Sequence, residues 1–348
     1  MSRRVMSVTG PVDVDDLGVV MPHEHLIANA QSQWIYPENR DDLAHYTQPY
    51  TTSMHGEVQL EPFSFRSAMQ QLDLDVAREE LESYLGAGGG TVVDLGIPGF
   101  GRDPVALKAL SELTGATVIM GCGEYVEHSH SPYVRHSSAE VVRDVLLHEI
   151  EFGVGTTGIR PGIIGEIGTG NPPTAEERKA VRGAALAQME SGLALNLHRT
   201  IFPDPLATLP LVDEILDMGV DPRKLIVSHC DERPEPEFAL ELARRGCWVE
   251  LDTFGMEQWA TSARRGDEYP ERAFDHHRID LLIRLLDEGY GDRVLVSHDI
   301  AMKPQFTRYG GWGLRHLLRG IRPRLRARGV TDEVFDEITV RNPAAALA

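Results

Sequence analysis

Short runs of apolar and β-branched residues recur along the chain, each bounded by glycine, proline or polar side chains, and the stretches between them place apolar residues three and four apart. Eight such runs occur, at 19–25, 91–95, 117–122, 162–167, 193–198, 225–229, 247–252 and 294–299. The intervening segments 176–192 and 209–219 have the period of amphipathic helices and stop at Gly192 and Gly219, the residue type that most readily ends a helix. Thr174 and Glu177 stand in the T-x-x-E relation of a capping box at the start of the first segment, which satisfies free amides there. Eight strand–helix alternations in 348 residues, with no low-complexity linker, predict an α/β fold of one domain spanning 1–348, a closed (β/α)8 TIM barrel. Gly86, Gly88, Gly89 and Gly90 precede a strand, so they read as a helix stop and not as a dinucleotide fingerprint. The longest break is a long loop after strand 1, at 29–65, rich in Trp34, Tyr36, Tyr46, Tyr50, Phe63 and Phe65. An excursion there sits on the face where barrel active sites lie, and reads as a lid or pocket wall.

Composition narrows the function classes. A hydrophobic share of 42% supports a large core,. Lys and Arg number 34 against 53 Asp and Glu, a formal charge of −19, so a polyphosphate partner meets net repulsion and nucleic-acid binding is not expected. The Arg3-Arg4 pair is followed by no apolar signal region and no window forms a membrane span, which predicts a cytoplasmic protein with no membrane partner. Cys122, Cys230 and Cys247 are too few and scattered for a disulfide framework and read as packing thiols.

Polar residues of particular types gather at the C-terminal ends of the runs. The first ends in His23-Glu24-His25, and the two-residue period of a strand sends both imidazoles to one side. Glu166 lies inside an apolar run between Gly165 and Ile167, where a buried carboxylate requires a cation, a proton or dense hydrogen bonding. The later runs end in His198, His229 and His298-Asp299. A barrel brings all its strand ends to one rim, so His23, His25, Glu166, His198, His229 and Asp299 are expected to converge. Four imidazoles and two carboxylates exceed one tetrahedral ion but divide well between two divalent ions sharing a carboxylate and a hydroxide. Two divalent metal ions per chain are therefore expected, zinc foremost, with manganese, cobalt or iron suited to the same oxygen and imidazole ligands.

On these residues the chain resembles the phosphotriesterase family of the amidohydrolase superfamily. The likeness runs from Thr9-Gly10 and the H-x-H strand, through Gly101-Arg102-Asp103, to Asn342-Pro343-Ala344. It implies that His23, His25 and Asp299 bind the more buried ion and His198 and His229 the more exposed one. Many members bridge their ions with a carbamylated lysine on strand four. Here Glu166 holds that place and none of the four lysines lies on the strand, so the bridge is expected to be glutamate and carbon dioxide is not needed for assembly. Homodimeric relatives imply a homodimer.

Two ions acidify a shared water, so the expected reaction is attack of a metal-bridging hydroxide on a carbonyl of a small-molecule substrate, with Asp299 as proton shuttle. Tyr125 falls where similar lactonases place a tyrosine, which favours a lactone or carboxylic ester. Leu251-Asp252-Thr253-Phe254 departs from the L-D-R-Y common in those lactonases, and the missing guanidinium implies a different pocket beside strand seven. Tyr125, Arg199, Asp252, Met256, Trp259 and Lys303 are the candidate substrate-binding residues, and Asp252 equally suits a residue that supports the ligands or a structural aspartate at the strand end. The same centre suits a phosphotriesterase or an amide or acetyl hydrolase, and a ligand-binding barrel without turnover is the alternative of another class.

Overall fold

The computed structural model describes residues 3–258 and 272–348. Eight strands follow one another round a parallel sheet, each paired with the next. They are β1 (Val20–Glu24), β2 (Thr91–Asp94), β3 (Thr117–Cys122), β4 (Ile163–Ile167), β5 (Leu195–Leu197), β6 (Leu225–Val227), β7 (Trp248–Leu251) and β8 (Val294–Val296). Each lies within one of the eight runs, and the helices fall between them, including Ala175–Ser191 with its Thr174/Glu177 capping box. The expected (β/α)8 barrel is the observed architecture.

Glu24 fastens the seam between β8 and β1. Its carboxylate accepts from Ser297 Oγ at 2.8 Å and from the amides of His298 and Ile300 at 3.0 Å each, and lies 2.6 Å from His298 Nδ1. Backbone bonds from Asp299 N to His23 O and from His25 N to Ile300 O bind the same seam. The pairing of β1 with β2 is irregular between Met21 and Glu24, the segment that carries His23.

The barrel interior is built in tiers. Val20, Val93, Ile119, Ile163, Ala194, Ile226, Trp248 and Leu295 form an apolar floor, closed below by Val5, Val14, Leu17, Ala346 and Leu347 from the chain ends. Two residues further along β5, β6 and β7 come Asn196, Ser228 and Glu250, fully buried and bonded to one another at 2.8–3.0 Å. The next step of two brings His198 and Asp252 to the mouth, as strand alternation dictates. Apolar residues on the opposite faces, among them Val92, Val118, Leu195, Val227 and Val249, pack against the helices.

The excursion after β1 returns through a short antiparallel pair, Ala28–Asn29 with Gln70–Gln71. It covers the mouth: Ala28, Ala30 and Met69 pack with Ile97, Phe100, Tyr125, Ala301 and Met302, residues of the loops after β2, β3 and β8. Among the described residues no helix is long and apolar enough to cross a membrane. All three cysteines are buried and free.

Candidate metal centre

Six side chains converge at the C-terminal mouth of the barrel. His23 Nε2 lies 3.6 Å from Glu166 Oε2 and 3.7 Å from Asp299 Oδ1. His25 Nε2 lies 3.3 Å from the same Asp299 oxygen and 3.7 Å from Glu166 Oε1. Atoms bound to one tetrahedral ion at about 2.0–2.2 Å stand roughly 3.3–3.6 Å from each other, so this half has the spacing of a coordination shell. His198 Nδ1, by contrast, lies 2.6 Å from Glu166 Oε2 and 2.7 Å from His229 Nε2. Those are hydrogen-bond lengths, and an ion held there requires the groups to part by roughly half an ångström or more.

The donor set tests whether an ion fits. His23 Nε2 is buried without a hydrogen-bond partner, while its Nδ1 is engaged by Asp252 at 2.9 Å and Glu250 at 3.1 Å. A ring nitrogen held by carboxylates on one side, with its other nitrogen aimed at further carboxylates, is the arrangement of a metal-bound histidine. His23, His25 and Asp299 form one group able to hold an ion, and His23, Glu166 and His229 another. The residues fit a divalent metal.

Charge balance leads to the same conclusion. Burial alone would strip the proton from His23 and His229. The negative charge of Asp252 and the hydrogen bonds from surrounding carboxylates outweigh burial and raise both pKa values well above the histidine range. Burial likewise disfavours the Glu166 carboxylate, but His198, His229 and His23 hold it well below the usual glutamate range. This rim is thus rich in anions that need positive charge, which metal ions supply in place of protons.

Asp252 is fully buried. It accepts the His229 amide on both oxygens, at 2.9 and 3.0 Å, and touches the imidazoles of His229 and His23. Of the roles open to Asp252, these contacts are those of a residue that supports the histidines, because these neighbours enclose its carboxylate. Arg199 also departs from expectation. It is 2% exposed and is bonded to the carbonyls of Pro205 and His229, with its guanidinium stacked on Phe238, so it is shut off from a substrate anion.

Tyr125 does join the cluster, its hydroxyl 3.3 Å from His198 Nε2 and its ring against Phe100 and His198. Lys303 is half-buried with Nζ 6.0 Å from the Tyr309 ring centroid, within the packing of the excursion and apart from the six. Met256 lies on the loop after β7, its carbonyl bonded to Arg278. Trp259 lies outside the described residues. The guanidinium missing at Thr253 is supplied from elsewhere: Arg278, on the helix Asp275–Asp287, donates to Thr253 Oγ1 at 2.9 Å.

Two further features escaped the sequence reading. His229 and Asp299 have positive φ, 57° and 49°, a conformation that L residues adopt at a cost and that clusters at functional sites. Glu250, Asn196 and Ser228 form the polar tier beneath the histidines. Their signal was present in sequence, as polar residues on the alternate positions of Ala194-Leu195-Asn196-Leu197-His198 and Trp248-Val249-Glu250-Leu251-Asp252.

Comparison with known proteins agrees with this geometry. Residues 3–347 match the family model described as phosphotriesterase family. An N-acetyltaurine hydrolase of Danio rerio is 34% identical over 342 residues, covering 98% of this chain and 96% of that protein. A solved structure described as a resiniferatoxin-binding protein from Rhodobacter sphaeroides superposes with a TM-score of 0.93 at 33% identity, covering 99% of this chain and 94% of the other. A mutant phosphotriesterase-like lactonase of Deinococcus radiodurans gives a TM-score of 0.75 at 28% identity, covering 99% and 100%. With its barrel, its mouth of histidines and carboxylates, and a match along nearly its whole length, the chain belongs to the phosphotriesterase family of metal-dependent hydrolases.

Proposed function

We propose that the protein is a two-metal amidohydrolase that cleaves the N-acyl bond of a small acylated amine bearing an acidic group, as N-acetyltaurine does. The observation that carries the metal reading is His23 Nε2, a buried, unpartnered nitrogen aimed between the carboxylates of Glu166 and Asp299. His23, His25 and Asp299 would hold an inner ion and His198 and His229 an outer one, with the Glu166 carboxylate available to both. Zinc is the first choice of metal for this oxygen and imidazole set.

When bound, the metal pair lowers the pKa of water and polarises the scissile carbonyl. The chain supplies the rest. Asp299, 16% exposed beside His25, takes the proton released at attack and returns it to the departing nitrogen, which an amide requires because an unprotonated amine leaves poorly. Tyr125 sets the orientation of His198 and walls the acyl side with Phe100. Arg272 is paired with Glu232 at 2.6 Å and lies 5.4 Å from the Phe202 ring centroid, with its buried Nε unpartnered. We assign it to the acidic end of the substrate, because a guanidinium binds sulfonate or carboxylate with its remaining donors.

The amide takes precedence over the lactone because of full-length similarity to N-acetyltaurine hydrolases. A lactone is the second reading, favoured by Tyr125. The test is kcat/KM of the zinc- or manganese-loaded protein for N-acetyltaurine, N-acetylethylamine, γ- and δ-lactones and a phosphotriester. N-acetyltaurine is expected to exceed its uncharged counterpart by at least about tenfold, the worth of one charge-assisted contact. A lactone preference would replace the amide assignment, and absence of turnover on every compound would defeat the hydrolase reading of the site.

A further inference from the structure

Arg199 follows His198 directly, yet its side chain belongs to His229. It donates through Nη2 to His229 O at 3.0 Å and through Nη1 to Pro205 O at 2.8 Å. Its guanidinium carbon lies 3.6 Å from the centroid of Phe238, on the helix Glu237–Arg244 after β6. Among the described residues no carboxylate is paired directly with this 2%-exposed cation; Glu232, Asp252 and Asp231 act on it only from a distance. A buried guanidinium with no carboxylate in direct contact is expensive, and an apolar side chain would fill the same space at lower cost. What an apolar residue cannot do is bind two carbonyls while stacking on a ring, a combination that needs the planar fork of arginine.

The carbonyl that Arg199 holds is a particular one. His229 has φ 57°, a left-handed conformation that an L residue adopts only at a cost in free energy. Its amide is held by both oxygens of Asp252 and its carbonyl by Arg199, so the backbone is pinned on both sides. With the backbone fixed, His229 Nε2 meets His198 Nδ1 at 2.7 Å.

We infer that Arg199 is a positioning residue for the outer metal, clamping His229 in its left-handed conformation and tying the loop after β5 to the end of β6. The inference rests on the reading of His198 and His229 as ligands of one ion. It concerns metal affinity first and catalysis only through it.

Stepwise titration of metal-stripped protein with cobalt(II), followed by absorption and calorimetry, tests the role in wild type, Arg199→Met, Arg199→Lys and Phe238→Leu. Wild type is expected to take two equivalents. Arg199→Met should bind the first as wild type does and the second 10–100-fold more weakly, the usual effect of removing a group that orients a ligand. Arg199→Lys should restore little, since an ammonium cannot span both carbonyls and the ring. Phe238→Leu keeps the carbonyl bonds and should weaken only the second equivalent by a few-fold; it decides the matter if Arg199→Met does not fold. An unchanged second equivalent, or equal weakening of both with a lowered melting temperature, would overturn the positioning role. A wild type that binds one equivalent would instead overturn the reading of His198 and His229.

Discussion

The two halves of the candidate metal centre are held in different ways. His23 lies on β1 and His25 just past its end, both with at most 1% exposure, and with Asp299 they keep contacts of 3.3–3.7 Å. His198 and His229 stand just beyond the ends of β5 and β6, close to each other and to Glu166 at hydrogen-bond length. The inner half is preorganised for an ion by the strand that carries it and by Glu250 and Asp252 behind His23. Each half contains one left-handed residue, Asp299 in the inner and His229 in the outer, and the outer one is clamped by Asp252 and Arg199. Alternation along a single segment spaces His23 from His25, whereas His198 and His229 come from two different strand ends and are braced by side chains from other elements. The inner site should therefore fill first and bind more tightly.

The largest change to that comparison is Glu166→Ala, which removes the carboxylate that lies against histidines of both halves. Binding of the metal pair should be abolished and turnover should fall by roughly three orders of magnitude, the rate equivalent of several kcal/mol of lost charge stabilisation. Elemental analysis checks the first and steady-state kinetics the second. Asp252→Asn strikes both halves at once, since Asp252 touches His23 and His229. Both equivalents should weaken by about 10–100-fold, measured by metal titration. An effect confined to one equivalent would mean that Asp252 serves only that half.

Tyr125→Phe should act on the outer half alone. Loss of the hydroxyl at His198 is expected to cost less than about tenfold in kcat/KM, the scale of one neutral hydrogen bond, with metal content unchanged.

Asp275→Asn should leave both halves as they are and change only stability. Asp275 holds the Gly255 amide, Arg278 and His316. Against burial, its bonds with His316 and Arg278 lower its pKa from the ordinary value to about 2. Its contribution is present above the unfolded pKa, near 4, and is lost as pH falls towards about 2. Chemical denaturation should show about 2 kcal/mol less stability near neutrality in the variant, and the gap to wild type should close in acid. A constant gap across that range would assign the loss to packing.

Much of this molecule was legible in its sequence because strand alternation acts locally. The eight runs, the H-x-H pair and the lone strand-end residues His198, His229 and Asp299 required only the barrel to bring them together. The direction of Arg199 was misjudged, and the role of Asp252 was left open between the substrate and the ligands, for a shared reason. A charged residue next to a ligand looks the same in sequence whether it faces the substrate or turns back, and its direction depends on partners such as Phe238 and the His229 backbone, which are distant along the chain. The positive φ of His229 and Asp299 was likewise invisible, since neither is glycine. Glu24 illustrates the reverse case. Its place between two histidines marked it as facing away from them, but its role in closing β1 against β8 emerged only when Ser297, His298 and Ile300 were seen around it.

Metal content per chain, compared among wild type, His25→Asn and His198→Asn after loading and gel filtration, tests the two-site account most directly. The account predicts two equivalents in wild type and one, the tighter, in His198→Asn, with His25→Asn losing that tighter equivalent. One equivalent in wild type, or two retained in both variants, would contradict it.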